Sequence, residues 1–105
     1  MQIQVNTDRN IEGHEAFIAQ VEATVTESLS HLSSHITRVE VHLSDENGAK
    51  NGQHDKRCMM EARLEGRQPT AVTCEAATLD QAIAGAADKL QNSVRSTLER
   101  LHERR

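Results

Sequence analysis

The sequence predicts an α+β fold, a two-layer sandwich in which a four-stranded sheet carries two helices packed on one face. Apolar residues alternate with polar ones in four short segments and recur at helical spacing in two longer ones. These segments follow one another in the order β-α-β-β-β-α. Consecutive strands joined by turns favour antiparallel pairing, whereas a helix between the first two strands allows them to pair in parallel. With 105 residues, the chain is expected to form a single domain over 1–105.

The first strand and the first helix are predicted by a change in apolar period. Ile3 and Val5 alternate with polar neighbours, which is typical of a short, half-buried strand. A polar, turn-rich segment follows. Apolar residues then recur every three or four positions from Phe17 to Leu32, which predicts a helix that ends near the two serines at 33–34.

Two further strands flank a segment without periodicity. Val39, Val41 and Leu43 alternate with polar residues and predict the second strand. Residues 44–56 contain two Asn-Gly pairs and are expected to form a long loop. Alternation returns over 57–65 and predicts the third strand.

The last part of the chain predicts a turn, a strand and a long helix. Residues 66–69 include Gly and Pro and indicate a turn, and alternation over 72–76 indicates the fourth strand. Thr78 and Gln81 have the spacing of a capping box. An apolar stripe over 79–101 then predicts the second helix.

Composition excludes several classes of protein. No apolar run approaches the length of a membrane span, and no signal segment is recognised, so a cytoplasmic protein is expected. The chain has neither Trp nor Tyr, which removes the stacking platforms of sheet-type readers of single-stranded RNA. Two cysteines are too few for a secreted disulfide scaffold.

Charge is distributed unevenly along the chain, whose net charge is −4. Residues 1–46 hold two basic and eight acidic residues, whereas residues 47–105 hold ten basic and eight acidic ones. The basic residues cluster in two stretches: Lys50, Lys56, Arg57, Arg63 and Arg67, then Lys89, Arg95, Arg100, Arg104 and Arg105. Such clusters are usually solvated surface, and cations near a helix C-terminus also favour the helix dipole. If the strand and helix clusters meet, they form a positive surface that suits the RNA backbone.

The sequence favours a protein that is not an enzyme, because the common catalytic motifs are missing. Cys58 is a conceivable nucleophile with His42 or His54 as base, but its apolar position favours a buried thiol. Cys74 is interpreted in the same way. The two cysteines are expected on neighbouring strands and one sheet face, where a disulfide is conceivable and two free thiols are favoured.

No metal or cofactor is predicted. His31 and His35 lie four residues apart but straddle a helix end without a third ligand nearby, and His42, His54 and Cys58 lack zinc-site spacing. The acidic segment 45–48 lacks the ligand spacing of a calcium loop.

The order of elements, taken with several local motifs, resembles the ribosome hibernation promoting factor family, also called sigma-54 modulation proteins. The matching stretches are Met1-Gln2-Ile3-Gln4-Val5, Arg38-Val39-Glu40-Val41-His42-Leu43 and Ala82-Ile83-Ala84-Gly85-Ala86-Ala87-Asp88-Lys89-Leu90. The segments 44–50, 55–58 and 61–64 resemble a proteobacterial subgroup with a longer loop. The chain resembles the short form of the family, without a C-terminal dimerisation domain, and a monomer is expected.

The resemblance implies a ribosome-binding regulator of translation. Members occupy the mRNA and tRNA channel of the small ribosomal subunit during stress or stationary phase, contacting 16S rRNA and neighbouring proteins, without DNA or membrane partners. Carried over by position, the rRNA-facing residues are Lys89, Arg95 and Arg100, together with Arg57, Arg63 and Arg67. The alternative is a protein-interaction module on the same scaffold that has lost ribosome binding. Its contact surface would be the acidic first helix, with Glu15, Glu22 and Glu27, or the 44–56 loop.

Overall fold

Four strands and two α-helices follow one another in the order that the apolar pattern predicts. The structure, a computed structural model, describes residues 1–8, 11, 13–45 and 55–103. Its elements are β1 (Gln2–Thr7), α1 (Glu15–Leu29), a 3-10 helix (Ser30–His35), β2 (Ile36–Asp45), β3 (Lys56–Leu64), β4 (Thr70–Ala76) and α2 (Leu79–Glu103).

The sheet is mixed, with the strand order β1-β2-β3-β4. β1 pairs in parallel with β2, and α1 provides the connection that a parallel pair requires. β2, β3 and β4 pair antiparallel in sequence order. The predicted α+β class and the parallel first pair are therefore confirmed.

The two helices cover one face of the sheet and enclose the core. Every second residue of β2 and β3 is buried, because alternate side chains point to the helices. The largest fully buried side chains are Leu29, Met60, Leu90, Val21, Val25, Val39, Val41, Val94 and Cys58. The opposite face of the sheet carries the polar residues of the same strands, and neither described helix packs on it.

The first helix is shorter than predicted. α1 ends at Leu29, and the chain continues as a 3-10 helix in which Leu32 is still buried. Two serine hydroxyls bond to nearby backbone carbonyls there, Ser30 Oγ to Glu27 O at 3.4 Å and Ser33 Oγ to Ser30 O at 3.0 Å. Such local bonds compete with the α-helical pattern, so a 3-10 segment follows.

The second and third strands reach further into the predicted 44–56 loop than expected. β2 ends at Asp45 and β3 begins at Lys56, and these two residues are partners in the sheet register. The Asp45 backbone N–H donates to Asp8 Oδ2 at 3.1 Å, which fixes this end of β2. The remaining part of the predicted loop, 46–54, lies outside the described residues.

The predicted turn after β3 and the predicted N-terminal cap of α2 are both found. The Gln81 N–H donates to Thr78 Oγ1 at 3.1 Å, which caps the N-terminus of α2. In the turn after β3, Gly66 adopts a φ of 69°, a conformation that side chains disfavour. Across the described residues, no helix has the combination of length and apolarity that a membrane crossing demands.

Candidate nucleic-acid interface

The face of the sheet opposite the helices, called here the open sheet face, carries three of the chain's arginines. Strand alternation places Arg38 on it from β2 and Arg57 and Arg63 from β3, since these residues alternate with buried ones. The same alternation brings three glutamates to this face: Glu40, Glu61 and Glu75. The three arginines are therefore balanced by three carboxylates.

Glu40 lies at the centre of this arrangement. One of its oxygens is 3.3 Å from Arg38 Nε and 3.9 Å from Arg63 Nε, and the other is 3.5 Å from His42 Nε2. Arg63 Nε is also 3.8 Å from Glu61 Oε1. Arg38 donates a further hydrogen bond to the Gln4 side chain on β1. Arg38 and Arg63 are thus engaged by carboxylates within the sheet.

Arg57 and Arg63 are both on the open sheet face, but the turn residue Arg67 is not. In the register of the sheet, Arg57 lies between Ser44 on β2 and Glu75 on β4. Arg67 is exposed in the turn after β3, and its backbone N–H donates to the Leu64 carbonyl at 3.1 Å. The three strand and turn arginines therefore do not form one compact cluster.

Lys89 connects the helical layer to the edge of the sheet. Its Nζ donates to the Thr73 carbonyl of β4 at 2.9 Å, so the ammonium group lies at the outer edge of the sheet. Arg100 follows about three helical turns later and lies close to the same flank of α2. Its Nη2 is 3.4 Å from Thr97 Oγ1. Lys89 and Arg100 form what we call the β4-side flank of α2.

Arg95 lies on a different flank of α2. At about 100° per residue it is about 120° around the helix from Lys89. Gln91 lies near Arg95 on that flank, and its Nε2 is 3.5 Å from His31 Nε2 of the 3-10 helix. This side of α2 therefore faces the 3-10 helix. The Arg95 guanidinium donates to the Asn92 side chain.

The six predicted residues therefore divide by location and by the groups that they contact. Lys89, Arg95 and Arg100 contact uncharged oxygens, whereas Arg63 contacts carboxylates and Arg57 lies opposite one. Arg67 is apart from both groups, exposed in the turn after β3. Sequence reasoning missed Arg38, which lies directly across from Arg63 in the register. The sequence did contain a signal for Arg38: it lies in a strand in which Val39 and Val41 point to the opposite, buried face.

A buried acidic cluster closes the end of the sheet from which the 46–54 segment departs. Lys56 Nζ is 3.2 Å from Asp45 Oδ2 and 3.3 Å from Asp55 Oδ1. Both aspartates are buried. The hydrogen bond to Asp45 is the main reason that the pKa of Lys56 is raised above 10.5; burial opposes this rise, and Asp55 adds to it. We call this group the Lys56 clamp. In the described part of the chain, no group of three or more His, Cys, Asp or Glu residues is arranged to hold a metal ion.

Cys58 and Cys74 are directly opposite each other on β3 and β4, and both are free thiols. Burial raises the pKa of the Cys58 thiol from 9.0 to about 12, and the neighbouring Cys74 contributes to the rise. A thiol with so high a pKa is a poor nucleophile at neutral pH. The predicted placement on neighbouring strands and one face is confirmed, and Cys58 is buried as predicted, whereas Cys74 is only half-buried because it lies on the edge strand.

A shallow cleft of about 240 Å³ lies between α1 and the beginning of α2. Its lining is mostly apolar or uncharged, with one carboxylate: Phe17, Gln20, Val21, Thr24, Asp80, Ile83 and Ala84. This lining contains neither a nucleophile paired with a base nor a pair of carboxylates, so the cleft lacks the groups of a hydrolytic site.

Solved structures of other proteins share this fold. The N-terminal domain of Protein Y from Thermus thermophilus is 25% identical, with a TM-score of 0.73 over 92% of this chain and 99% of that one. A ribosomal subunit interface protein from Coxiella burnetii shares the fold at 13% identity, with a TM-score of 0.72 over 94% of this chain and 99% of that one.

The curated proteins include no match to the chain. The family profile described as "Sigma 54 modulation protein / S30EA ribosomal protein" matches residues 4–102. The chain therefore belongs to the sigma-54 modulation and S30EA ribosomal protein family, a family of ribosome-associated proteins, as the sequence motifs indicated.

Proposed function

We propose that this protein is a non-enzymatic regulator of translation that binds the small ribosomal subunit. In this proposal the whole chain acts as one domain, a cytoplasmic monomer without a cofactor, and occupies the mRNA and tRNA channel during stress or stationary phase. Family membership supports the ribosome as partner. The protein from Coxiella burnetii that shares this fold is a ribosomal subunit interface protein.

The surface that we propose for rRNA is centred on the cations of α2. Lys89, Arg95 and Arg100 contact uncharged oxygens of Thr73, Asn92 and Thr97, and all three are exposed. Where a cation's described contacts are neutral oxygens, it can exchange those hydrogen bonds for a phosphate without breaking an ion pair among the described residues. This contrast between helix and sheet is the observation that carries the proposed site.

The arginines of the sheet have a secondary role in the proposal. Binding a phosphate at Arg63 would require the guanidinium to leave Glu40 and Glu61, and Arg57 lies opposite Glu75. Each such exchange costs part of the energy gained from the phosphate. Arg57, Arg63 and Arg67 are therefore proposed to strengthen a complex that the α2 cations form first.

Co-sedimentation with 30S and 70S particles at increasing salt tests this proposal. We expect the protein to pellet with 30S particles at low salt and to be released as salt rises, because binding to phosphates displaces condensed counterions. Replacing Lys89, Arg95 and Arg100 together with Gln should reduce the salt slope by about 0.7–0.9 for each phosphate that the protein no longer neutralises.

The matched control places three new negative charges elsewhere. Ala16, Ala19 and Ala23 are exposed on α1, and their replacement by Glu changes the net charge by the same amount as the triple Gln variant. We expect this control to pellet with 30S particles more strongly than the triple Gln variant. Equal losses in both variants would show that net charge, and not the α2 surface, decides binding.

A second candidate function rests on the charge of α1. This helix carries Glu15, Glu22 and Glu27 and neither Lys nor Arg, so its surface repels phosphate and suits a basic protein partner. If the protein stays in the supernatant at low salt while the ribosomes pellet, this result would favour the interaction module and contradict ribosome binding.

A further inference from the structure

We propose that Cys58 and Cys74 form a reversible modification site, a cross-strand dithiol that a small-molecule disulfide converts into an intramolecular disulfide between β3 and β4. The two residues are direct partners in the antiparallel register, and both side chains lie on the helix-covered face of the sheet. This inference concerns the reduced protein itself and does not rest on ribosome binding.

The register supplies the geometry for the bond. Directly opposed residues in an antiparallel pair have Cα atoms about 4.5 or 5.5 Å apart, depending on the kind of pair. Both distances lie within the range of about 4.4–6.8 Å that disulfides span. Their Cβ atoms are about 4.5–5.5 Å apart, so closure requires the backbones of β3 and β4 to bring these atoms about 1 Å closer while the sulfurs rotate toward each other.

The two thiols differ in access, which sets the order of events. Cys74 is half-buried, whereas Cys58 has no exposed surface. Cys74 is therefore the thiol that meets the reagent. Its thiolate attacks one sulfur of the small disulfide, which forms a mixed disulfide on Cys74 and releases one small thiolate.

The second step closes the bond inside the protein. The Cys58 thiol loses its proton, and its sulfur attacks Cys74 Sγ and expels the second small thiolate. The protein thereby loses two protons and two electrons, and the small disulfide gains them as two thiols. Because burial raises the pKa of Cys58, the Cys58 thiolate is scarce near neutral pH, and closure should speed up about tenfold per pH unit below that pKa.

The packing around Cys74 is close on the side of α2. Cys74 Sγ lies against Gly85 of α2, where an added Cβ would be only 2.5 Å away. The sulfur thus occupies space that exists because residue 85 has no side chain. Rotation of Sγ toward Cys58 takes the sulfur away from this contact with α2.

The test is oxidation of the reduced, full-length protein with oxidised glutathione, followed by blocking of free thiols and intact-mass measurement. We expect a product that has lost two hydrogens, accepts no blocking reagent and returns to the dithiol with reductant. Trypsin cleaves after Arg57, Arg63, Arg67 and Lys89, so the linked peptides should be 58–63 and 68–89. A persistent glutathione adduct, a disulfide-linked dimer or an unchanged dithiol would each overturn the proposal.

Two variants and one unfolded sample separate this proposal from simple thiol reactivity. Cys58→Ala should stop at the mixed disulfide on Cys74, and Cys74→Ala should remain unmodified because Cys58 is buried. The ratio of closed disulfide to mixed disulfide should be at least about tenfold higher for the folded wild type than for the same protein in urea. Equal ratios would show that the native register contributes nothing.

Discussion

Gly85 of α2 lies directly against Cys74 of β4: a Cβ atom built on Gly85 would be 2.5 Å from Cys74 Sγ. Non-bonded atoms do not approach so closely, so the absence of a side chain at residue 85 lets the helix pack against the strand. This contact lies one helical turn before Lys89, which bonds to the neighbouring residue of β4, Thr73. The approach of α2 to the sheet edge therefore depends on a glycine next to a sulfur.

Substitution of Gly85 should reveal this contact as a coupling between two residues. Gly85→Ala is expected to lower the free energy of unfolding by about 1–2 kcal/mol, because overpacking outweighs the higher helix propensity of Ala. In a Cys74→Ala background the sulfur is gone, and the same substitution should be neutral or stabilising by up to about 1 kcal/mol. Urea denaturation of the wild type, the two single variants and the double variant measures the coupling free energy between residues 74 and 85. Equal effects in both backgrounds would contradict the proposed steric cause.

Cys58 should make the protein sensitive to alkaline pH. Its pKa is about 12 in the folded protein against an ordinary 9.0, so the neutral thiol is favoured by folding. This contribution is complete below pH 9 and is lost as pH rises towards 12, because only the unfolded chain then releases the proton. Wild type should lose up to about 1.4 kcal/mol per pH unit relative to Cys58→Ala above pH 9. Parallel stability curves for the two proteins between about pH 8 and 11 would refute this assignment.

The Lys56 clamp should stabilise the end of the sheet through its positive charge. Lys56→Met leaves the buried carboxylates of Asp45 and Asp55 without their shared cation and should lower the urea midpoint. Lys56→Arg keeps the charge and should lose less. Since the pKa of Lys56 is raised by folding, its contribution is complete below pH 10.5 and is lost as pH rises further. The difference in urea midpoint between wild type and Lys56→Met should therefore become smaller above pH 10.5. A difference that stays constant with pH would show that the shape of Met, and not the lost charge, destabilises the variant.

Removal of the Glu40 charge should make the open sheet face a better phosphate-binding surface. Glu40→Gln frees Arg38 and Arg63 from their shared carboxylate, so ribosome binding should persist to higher salt. The salt slope should steepen by about 0.7–0.9 for each additional phosphate that these arginines neutralise. Glu27→Gln on α1 adds the same charge away from this face and serves as the control in co-sedimentation. An equal increase in both variants would assign the effect to net charge.

Local pattern predicted the elements well because each period has one cause. Val39, Val41 and Leu43 alternate since one face of β2 is buried, and the same alternation placed Cys58 and Cys74 on that face. The end of α1 was less predictable, because the hydroxyls of Ser30 and Ser33 redirect the last turn by bonds that apolar spacing does not report.

The candidate site was harder to predict because ion pairing depends on the register between strands. Glu40 meets Arg63 through a pairing of β2 with β3, and neither residue indicates its partner by itself. The helical period separates Arg95 from Lys89, yet only the packed structure shows which flank of α2 meets β4. The sequence thus identified the basic residues. The tertiary structure decides which of them would have to break an ion pair with a carboxylate in order to bind a phosphate.

The bond from Lys89 to the Thr73 carbonyl has a consequence for behaviour at high protein concentration. β4 ends the sheet, and an outermost strand offers acceptors that can recruit a strand from another molecule into aggregates. An incoming strand would need the Thr73 carbonyl as an acceptor, but this carbonyl already accepts a hydrogen bond from the Lys89 ammonium group. A lysine in this position therefore acts as a gatekeeper against intermolecular sheet growth.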